Sequence, residues 1–193
     1  FFAGISFLQF SLLILLMAAL AAVAVYLEPY RYIRFISFTE PFENFYGPGW
    51  QLSNALIGIG RGEWLGLGLG NSLQKNLYLP EPHTDFIFAV IVEEFGLVGG
   101  LIVIFLFALL IIGIIRTSLK ALELGKLFQG LLAFGAGILI AIQVVFNIGV
   151  NLGILPTKGL TLPFISYGGT SLIIFMFLMG LVLRINFENK SIK

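Results

Sequence analysis

Four apolar stretches govern what this chain can fold into, because each approaches the roughly 20 helical residues needed to cross a bilayer. They cover about residues 2–27, 86–115, 127–152 and 170–187. The last is short unless its helix continues to Phe187. Composition agrees: 59% of the 193 residues are hydrophobic and only 11% are charged, against about 25% charged in a soluble domain. The expected fold class is all-α, a polytopic membrane helix bundle forming one partial domain over residues 1–193. The chain starts Phe1-Phe2 without a basic n-region or cleavage site, so it reads as a fragment or an incomplete gene product.

The segments between the spans fix the expected orientation. Residues 116–126 hold Arg116, Lys120 and Lys126 against Glu123, and the C-terminal tail holds Arg184, Lys190 and Lys193. The positive-inside rule puts both in the cytoplasm. The long loop 28–85 and the short loop 155–169 are then external. The long loop contains both tryptophans, Trp50 and Trp64, a residue type that favours membrane interfaces. Its part 51–59 is apolar enough to lie on the membrane surface as a short helix. The short loop is rich in Pro, Gly and Thr. Non-helical backbone survives at membrane depth only against protein or water, so a re-entrant loop is expected there.

Composition also excludes chemistry. There is no cysteine, hence no disulfide framework and no thiolate metal site. One histidine, His83, and one aspartate, Asp85, cannot build a metal cluster of several His and Asp ligands. A net charge of +1 gives no reason to expect a nucleic-acid partner. The run Gly66-Leu-Gly68-Leu-Gly70-Asn71 is neither a Walker nor a dinucleotide-binding loop, because its spacing is wrong and no strand precedes it.

The most informative run is Tyr78-Leu-Pro-Glu81-Pro-His83-Thr-Asp85-Phe. Pro80 and Pro82 block a helix up to this point. Thr84 or Asp85 can then cap the second span. Alternatively, a lone carboxylate at the external face is a general base, ionised and able to accept a proton. Glu93 and Glu94 follow inside the span, about 12–13 Å deeper if the helix is straight. Intramembrane carboxylates normally face a cavity or a partner. Gln143, Asn147 and Asn151 form a polar stripe at four-residue spacing, either hydrogen-bonding between helices or lining a wet cavity. Arg31, Arg34, Arg61, Lys75 and Lys158 fall on the external side, where a cationic cluster suits a phosphate-bearing lipid head group.

Several of these runs, in order, resemble the shape, elongation, division and sporulation family of membrane proteins. They are Ile59-Gly-Arg-Gly-Glu63, Gly68-Leu-Gly-Asn-Ser72, Gln74-Lys75, Tyr78-Leu-Pro-Glu81, His83-Thr-Asp-Phe-Ile-Phe-Ala89, Glu93-Glu94 and Pro156-Thr-Lys-Gly-Leu-Thr-Leu-Pro-Phe-Ile-Ser-Tyr-Gly-Gly169. The last run is closer to the division branch than to the elongation branch. The resemblance covers nearly the whole chain, but about six N-terminal helices of the ten-helix family pattern have no counterpart in it. It implies a glycosyltransferase of the bacterial inner membrane that polymerises lipid II on the outer face. Its implied partners are a class B penicillin-binding transpeptidase and other division membrane proteins. It implies that Asp85 is the catalytic aspartate.

The expected mechanism is inverting: Asp85 takes the proton of an acceptor 4-hydroxyl, whose oxygen attacks the donor C1 and releases undecaprenyl pyrophosphate. Substrate-binding candidates are Arg61, Lys75, Glu81, His83, Lys158, Ser166 and Tyr167. Arg61, Lys75 and Lys158 are expected to stabilise the pyrophosphate, and a divalent cation could share that role. Glu93, Gln143 and Asn147 are expected to line a cavity. The rival readings are a lipid II transporter with Glu93, Glu94 and the Gln143, Asn147 and Asn151 stripe along its path, a non-catalytic scaffold, and an elongation-type member of the family.

Overall fold

The computed structural model describes residues 6–27, 38–75 and 79–191. Arg31 and Arg34 lie outside the described residues. Five helices appear in chain order: α1 Phe7–Leu27, α2 Trp50–Gly62, α3 Ile87–Glu123, α4 Leu127–Asn151 and α5 Gly169–Lys190. There is no strand among the described residues. Three of the helices, α3, α4 and α5, are long and apolar enough to cross a membrane. α1 is apolar as well, with a shorter qualifying run over Phe7–Leu20, and Phe7 and the leucines of that run are exposed. The molecule is a membrane helix bundle.

The bundle core is built where α3, α4 and α5 meet, around Phe107, Ile114, Ile140, Val144, Phe175 and Val182. α3 and α4 run antiparallel and close. A Cβ on Gly137 would touch the Ile114 side chain at 3.1 Å, and one on Gly130 would meet Leu122 at 2.5 Å. Small residues permit that approach in a bilayer, where helices associate by packing.

The connection between them is shorter than the expected 116–126 loop. α3 continues to Glu123 because Thr117, Ser118 and Ala121 are buried, and the Ser118 hydroxyl donates to Gly130 O at 2.8 Å. The helix stops at Gly125, whose φ of 72° is open to glycine. There the Lys126 N–H bonds Ala121 O at 2.9 Å and the Gly125 N–H bonds Leu122 O at 3.0 Å, a Schellman ending. α5 likewise runs past Phe187 to Lys190.

α2 does not lie free on the membrane surface. Leu52, Ser53, Asn54, Ala55, Gly58 and Gly62 are buried, and its end approaches α3 so closely that a Cβ on Gly62 would collide with Val92 O.

α3 is not straight: it is broken at Gly96, just beyond Glu93 and Glu94. Gly96 has φ 73° and ψ −174°, outside helical geometry. The helical bonds from Leu97 and Val98 back to Glu93 and Glu94 are replaced. Leu97 N–H donates to Glu63 O at 2.9 Å and Val98 N–H to Trp64 O at 3.3 Å, while Glu93 O and Glu94 O accept from Leu67 and Gly68 at 3.0 Å each. Segment 63–68 is thus inserted into the break and satisfies the backbone groups that a kink would orphan. Side chains at Gly66 or Gly96 would drive into the facing backbone. Continued in the register of Gly130 and Gly137, Asn151 would face the Gly100 region of α3. It instead meets Asp85 and Ala89, and Gly100 lies against Val92 and Phe88. The first part of α3 therefore folds across the end of α4 through Asp85 and Ala89, while Glu93 and Glu94 face the 58–75 segment.

Candidate active site

Asp85 is placed by its backbone, leaving the carboxylate free. The N-cap of α3 is Phe86, with no side-chain cap bond, so neither Thr84 nor Asp85 caps the helix. The cap comes from α4 instead: Asn151 Oδ1 accepts the Ala89 N–H at 3.0 Å. Ala89 carries one of the first N–H groups of the helix, which have no partner within it. The Asp85 carbonyl accepts from Asn147 Nδ2 at 3.0 Å and from Asn151 Nδ2 at 2.9 Å. Among the described residues no hydrogen bond or ion pair reaches the Asp85 side chain. Partial burial pushes its pKa above the ordinary carboxylate value, and the negative charge of Glu81 adds to that.

Loop 155–169 folds back along α4. Asn147 Nδ2 donates to Leu160 O at 2.6 Å and Gln143 Nε2 to Thr161 O at 3.0 Å. Gln143 lies two turns before the end of α4, about 12 Å along the axis. The descent buries Leu162 in the core. Gln143 and Asn147 are spent on holding this loop; the expected cavity lining is corrected to a polar ladder, with Asn147 almost completely buried. On its way the loop passes the carboxylate: a Cβ on Gly159 would stand 3.2 Å from Asp85 Oδ2. Lys158 is the neighbouring residue, exposed and ion-paired with none of the described carboxylates.

A cleft of about 780 Å³ has a lining that includes Glu81, His83, Thr84, Ser166, Tyr167 and Leu172; Asp85, between Thr84 and the lining residue Ile87 in sequence, is not itself part of that lining. Four of the expected substrate-binding residues, Glu81, His83, Ser166 and Tyr167, thus share one wall system. The Ser166 hydroxyl is a clamp: it donates to Thr84 O at 2.6 Å and accepts the Leu162 N–H at 2.7 Å. Tyr167 N–H donates to His83 O at 2.8 Å, while its side chain stays exposed. Glu81 at φ 57° and Phe164 at φ 65° also face this cleft, backbone strain of the kind that gathers at functional sites.

Arg61 and Lys75 are elsewhere. Arg61 Nη1 is 3.9 Å from Glu93 Oε1, and Lys75 Nζ is 3.8 Å from Glu94 Oε1. Glu93 is fully buried, and the Ser72 hydroxyl donates to its Oε2 at 2.5 Å. The expectation that Glu93 lines a cavity is corrected accordingly. Sequence reasoning missed Thr84, Gly159, Leu172 and Ser72, and saw Asn151 only as part of a stripe. Among the described residues no group of three or more His, Asp or Glu converges to hold a metal ion.

The family model described as "Cell cycle protein", FTSW_RODA_SPOVE, matches residues 1–191. A relative from Pseudomonas fluorescens (strain SBW25), named "Probable peptidoglycan glycosyltransferase FtsW", is 47% identical over 191 residues, covering 99% of this chain and 47% of the relative. One of the same name from Xanthomonas oryzae pv. oryzae is 52% identical over 176 residues, covering 91% of this chain and 36% of the relative. The chain spans about half the length, or less, of the curated relatives it matches. A solved structure described as "Structural coordination of polymerization and crosslinking by a peptidoglycan synthase complex" contains a chain that superposes with a TM-score of 0.72 at 30% identity, covering 96% of this chain and 51% of that one.

Proposed function

The chain belongs to the FtsW/RodA/SpoVE family, and from that premise we propose that it carries the proton-accepting end of a division-type lipid II polymerase. Asp85, the only aspartate in the sequence, is the general base. It removes the proton of an acceptor sugar hydroxyl, the oxygen forms a bond to the donor C1, and the C1–pyrophosphate bond breaks with the electron pair leaving on the lipid pyrophosphate. One carboxylate suffices because this leaving group is already charged, unlike that of the two-carboxylate hydrolases.

The observation that carries the reading is the division of labour at the start of α3. Asn151 caps the helix and anchors the Asp85 carbonyl, so the carboxylate is left for chemistry. Its raised pKa makes its carboxylate form a stronger base than an ordinary aspartate. The cleft beside it supplies Glu81, His83 and Tyr167 for the sugar. Lys158, exposed and next in sequence to the Gly159 that approaches the carboxylate, supplies charge for the pyrophosphate.

Lys126 Nζ donates to Glu188 O, so the α3–α4 turn and the end of α5 sit together. Their shared basic residues favour a cytoplasmic C-terminus, with Asp85 at the external face of the bacterial inner membrane. The names of the relatives favour septal peptidoglycan synthesis, and the matched complex, described as coordinating polymerization and crosslinking, favours a membrane-embedded synthase assembly; a class B transpeptidase is the partner the family resemblance implies. A transporter path gains no support, because Glu93, Gln143 and Asn147 are occupied by partners. The test is glycan polymerisation by the full-length protein purified with its transpeptidase. Asp85→Asn should lower turnover by about 10²–10⁴-fold with unchanged folding. Activity within a few-fold of the parent would remove Asp85 from the reaction.

A further inference from the structure

Arg61 reads from sequence as a pyrophosphate ligand, yet its charge is directed at a carboxylate with no solvent exposure. Glu93 accepts the Ser72 hydroxyl at 2.5 Å and the Leu73 N–H at 3.3 Å, with Arg61 at 3.9 Å. Ser72 is itself completely buried, and its Oγ accepts the Lys75 N–H at 3.0 Å. A buried carboxylate persists only when paired and hydrogen-bonded, and here every donor comes from the external loop. Glu93 also stands at the edge of the α3 break, where segment 63–68 enters. Side-chain and backbone bonds therefore fasten the same stretch of loop to the same two turns of helix.

From there the chain runs to the cleft. Leu79 N–H bonds Gln74 O at 2.9 Å, and Leu79 is buried; Glu81, in its strained conformation, follows at the cleft wall. Asp85 is held by a different set, the two asparagines of α4. We propose that Ser72, Glu93 and Arg61 form a positioning pin that sets the Glu81 wall of the substrate cleft. Arg61 is then a positioning residue that touches no substrate. The proposal rests on the reading of this cleft as the glycosyl-transfer site.

Two independent holds imply two kinetic signatures. Loosening the pin shifts the wall that binds substrate and leaves the base in place. Ser72→Ala and Arg61→Ala should each raise KM for the polyprenyl-pyrophosphate sugar substrate by about 3–10-fold, with kcat within about twofold. The double variant should be no worse than the worse single one, because both remove one device, and Arg61→Lys should restore part of the loss. The assay is steady-state polymerisation by the full-length protein with its transpeptidase, with limited trypsin digestion of the same samples. Ser72→Ala should expose the bond after Lys75 to cleavage at least several-fold faster than in the parent.

Ser72 discriminates, since a fully buried hydroxyl cannot meet the substrate. If Arg61→Ala raises KM while Ser72→Ala changes neither KM nor cleavage, Arg61 is a substrate ligand and the pin is overturned. Loss confined to kcat would overturn it as well. Asp85→Asn in the same assay separates the two readings: retained turnover there would sink the catalytic assignment, while the cleavage rates would still decide the pin.

Discussion

Asn151 offers the sharpest test of how the site is built. Its amide is completely buried and makes four bonds: to the Ala89 N–H, to Asp85 O, to Asn147 O and, more weakly, to Asn147 Oδ1, at 3.0, 2.9, 2.8 and 3.4 Å. Asn151→Leu, of similar size, removes all four. Hydrogen bonds inside membrane proteins average about 0.6 kcal/mol, and a buried N–H left without an acceptor costs about 1–3 kcal/mol. Together these give a destabilisation of about 3–5 kcal/mol, visible as a lower midpoint in thermal unfolding of the detergent-solubilised full-length protein. The catalytic effect has a separate cause. With the α4 cap gone, the Asp85 carboxylate just before α3 is expected to turn toward the uncapped first-turn N–H groups, and a carboxylate engaged as a cap is a weaker and misplaced base. Turnover should fall by at least tenfold among molecules that remain folded. Asn151→Asp keeps an acceptor for Ala89 but sets oxygen against the Asp85 carbonyl, so it should preserve the cap and still disturb the anchor. Unfolding midpoints and turnover equal to the parent in Asn151→Leu would refute the idea that this side chain holds the base.

Three further outcomes follow from the geometry. Turnover should lose activity on acidification at a pH above the ordinary carboxylate range, since the base works only when deprotonated and its pKa is raised; Glu81→Gln removes one cause and should move that limb to lower pH, as read from a kcat/KM profile. Lys158→Ala should lower turnover or donor affinity at least tenfold and Lys158→Arg should recover part of it, whereas near-normal kinetics for the alanine variant would show that Lys158 only snorkels to the head groups. Cysteines at Leu69 and Leu124, both exposed, should react with an impermeant thiol reagent from opposite sides of the membrane, and labelling of both from one side would overturn the topology.

The spans and the catalytic motif were legible because each is written in local sequence. Hydropathy over about 20 residues announces a membrane helix without reference to any other part of the chain. The motif around Asp85 combined a helix block, a lone carboxylate and a resemblance. What stayed hidden depends on pairs distant in sequence. Gly96 looks like any packing glycine until segment 63–68 is known to fill the gap beside it. Asn151 reads as one member of a stripe, and only the fold shows that it caps another helix 62 residues away. Arg61 and Lys75 are basic residues in the long segment between the first two spans, which suggests a lipid phosphate as readily as the buried carboxylates they meet. Arg116 and Lys120 suggested a loop because charges end a hydropathic run, although the helix continues beneath them on Thr117, Ser118 and Ala121.

The interrupted α3 also decides where this molecule can be cut. Segment 63–68 precedes α3 in the chain, so during synthesis its donors and acceptors already exist when residues 93–98 arrive. Split the gene between residues 70 and 85, and the second fragment enters the bilayer with Leu97 and Val98 N–H and Glu93 and Glu94 O bereft of the partners that cover them here. That fragment would straighten its helix through Gly96 or fail to insert, and afterwards could not admit the loop without breaking bonds it had made. A split at the Leu124–Lys126 turn severs only a helix ending. Two-piece complementation should therefore succeed at the turn and fail in the external loop, the opposite of what exposure alone would recommend.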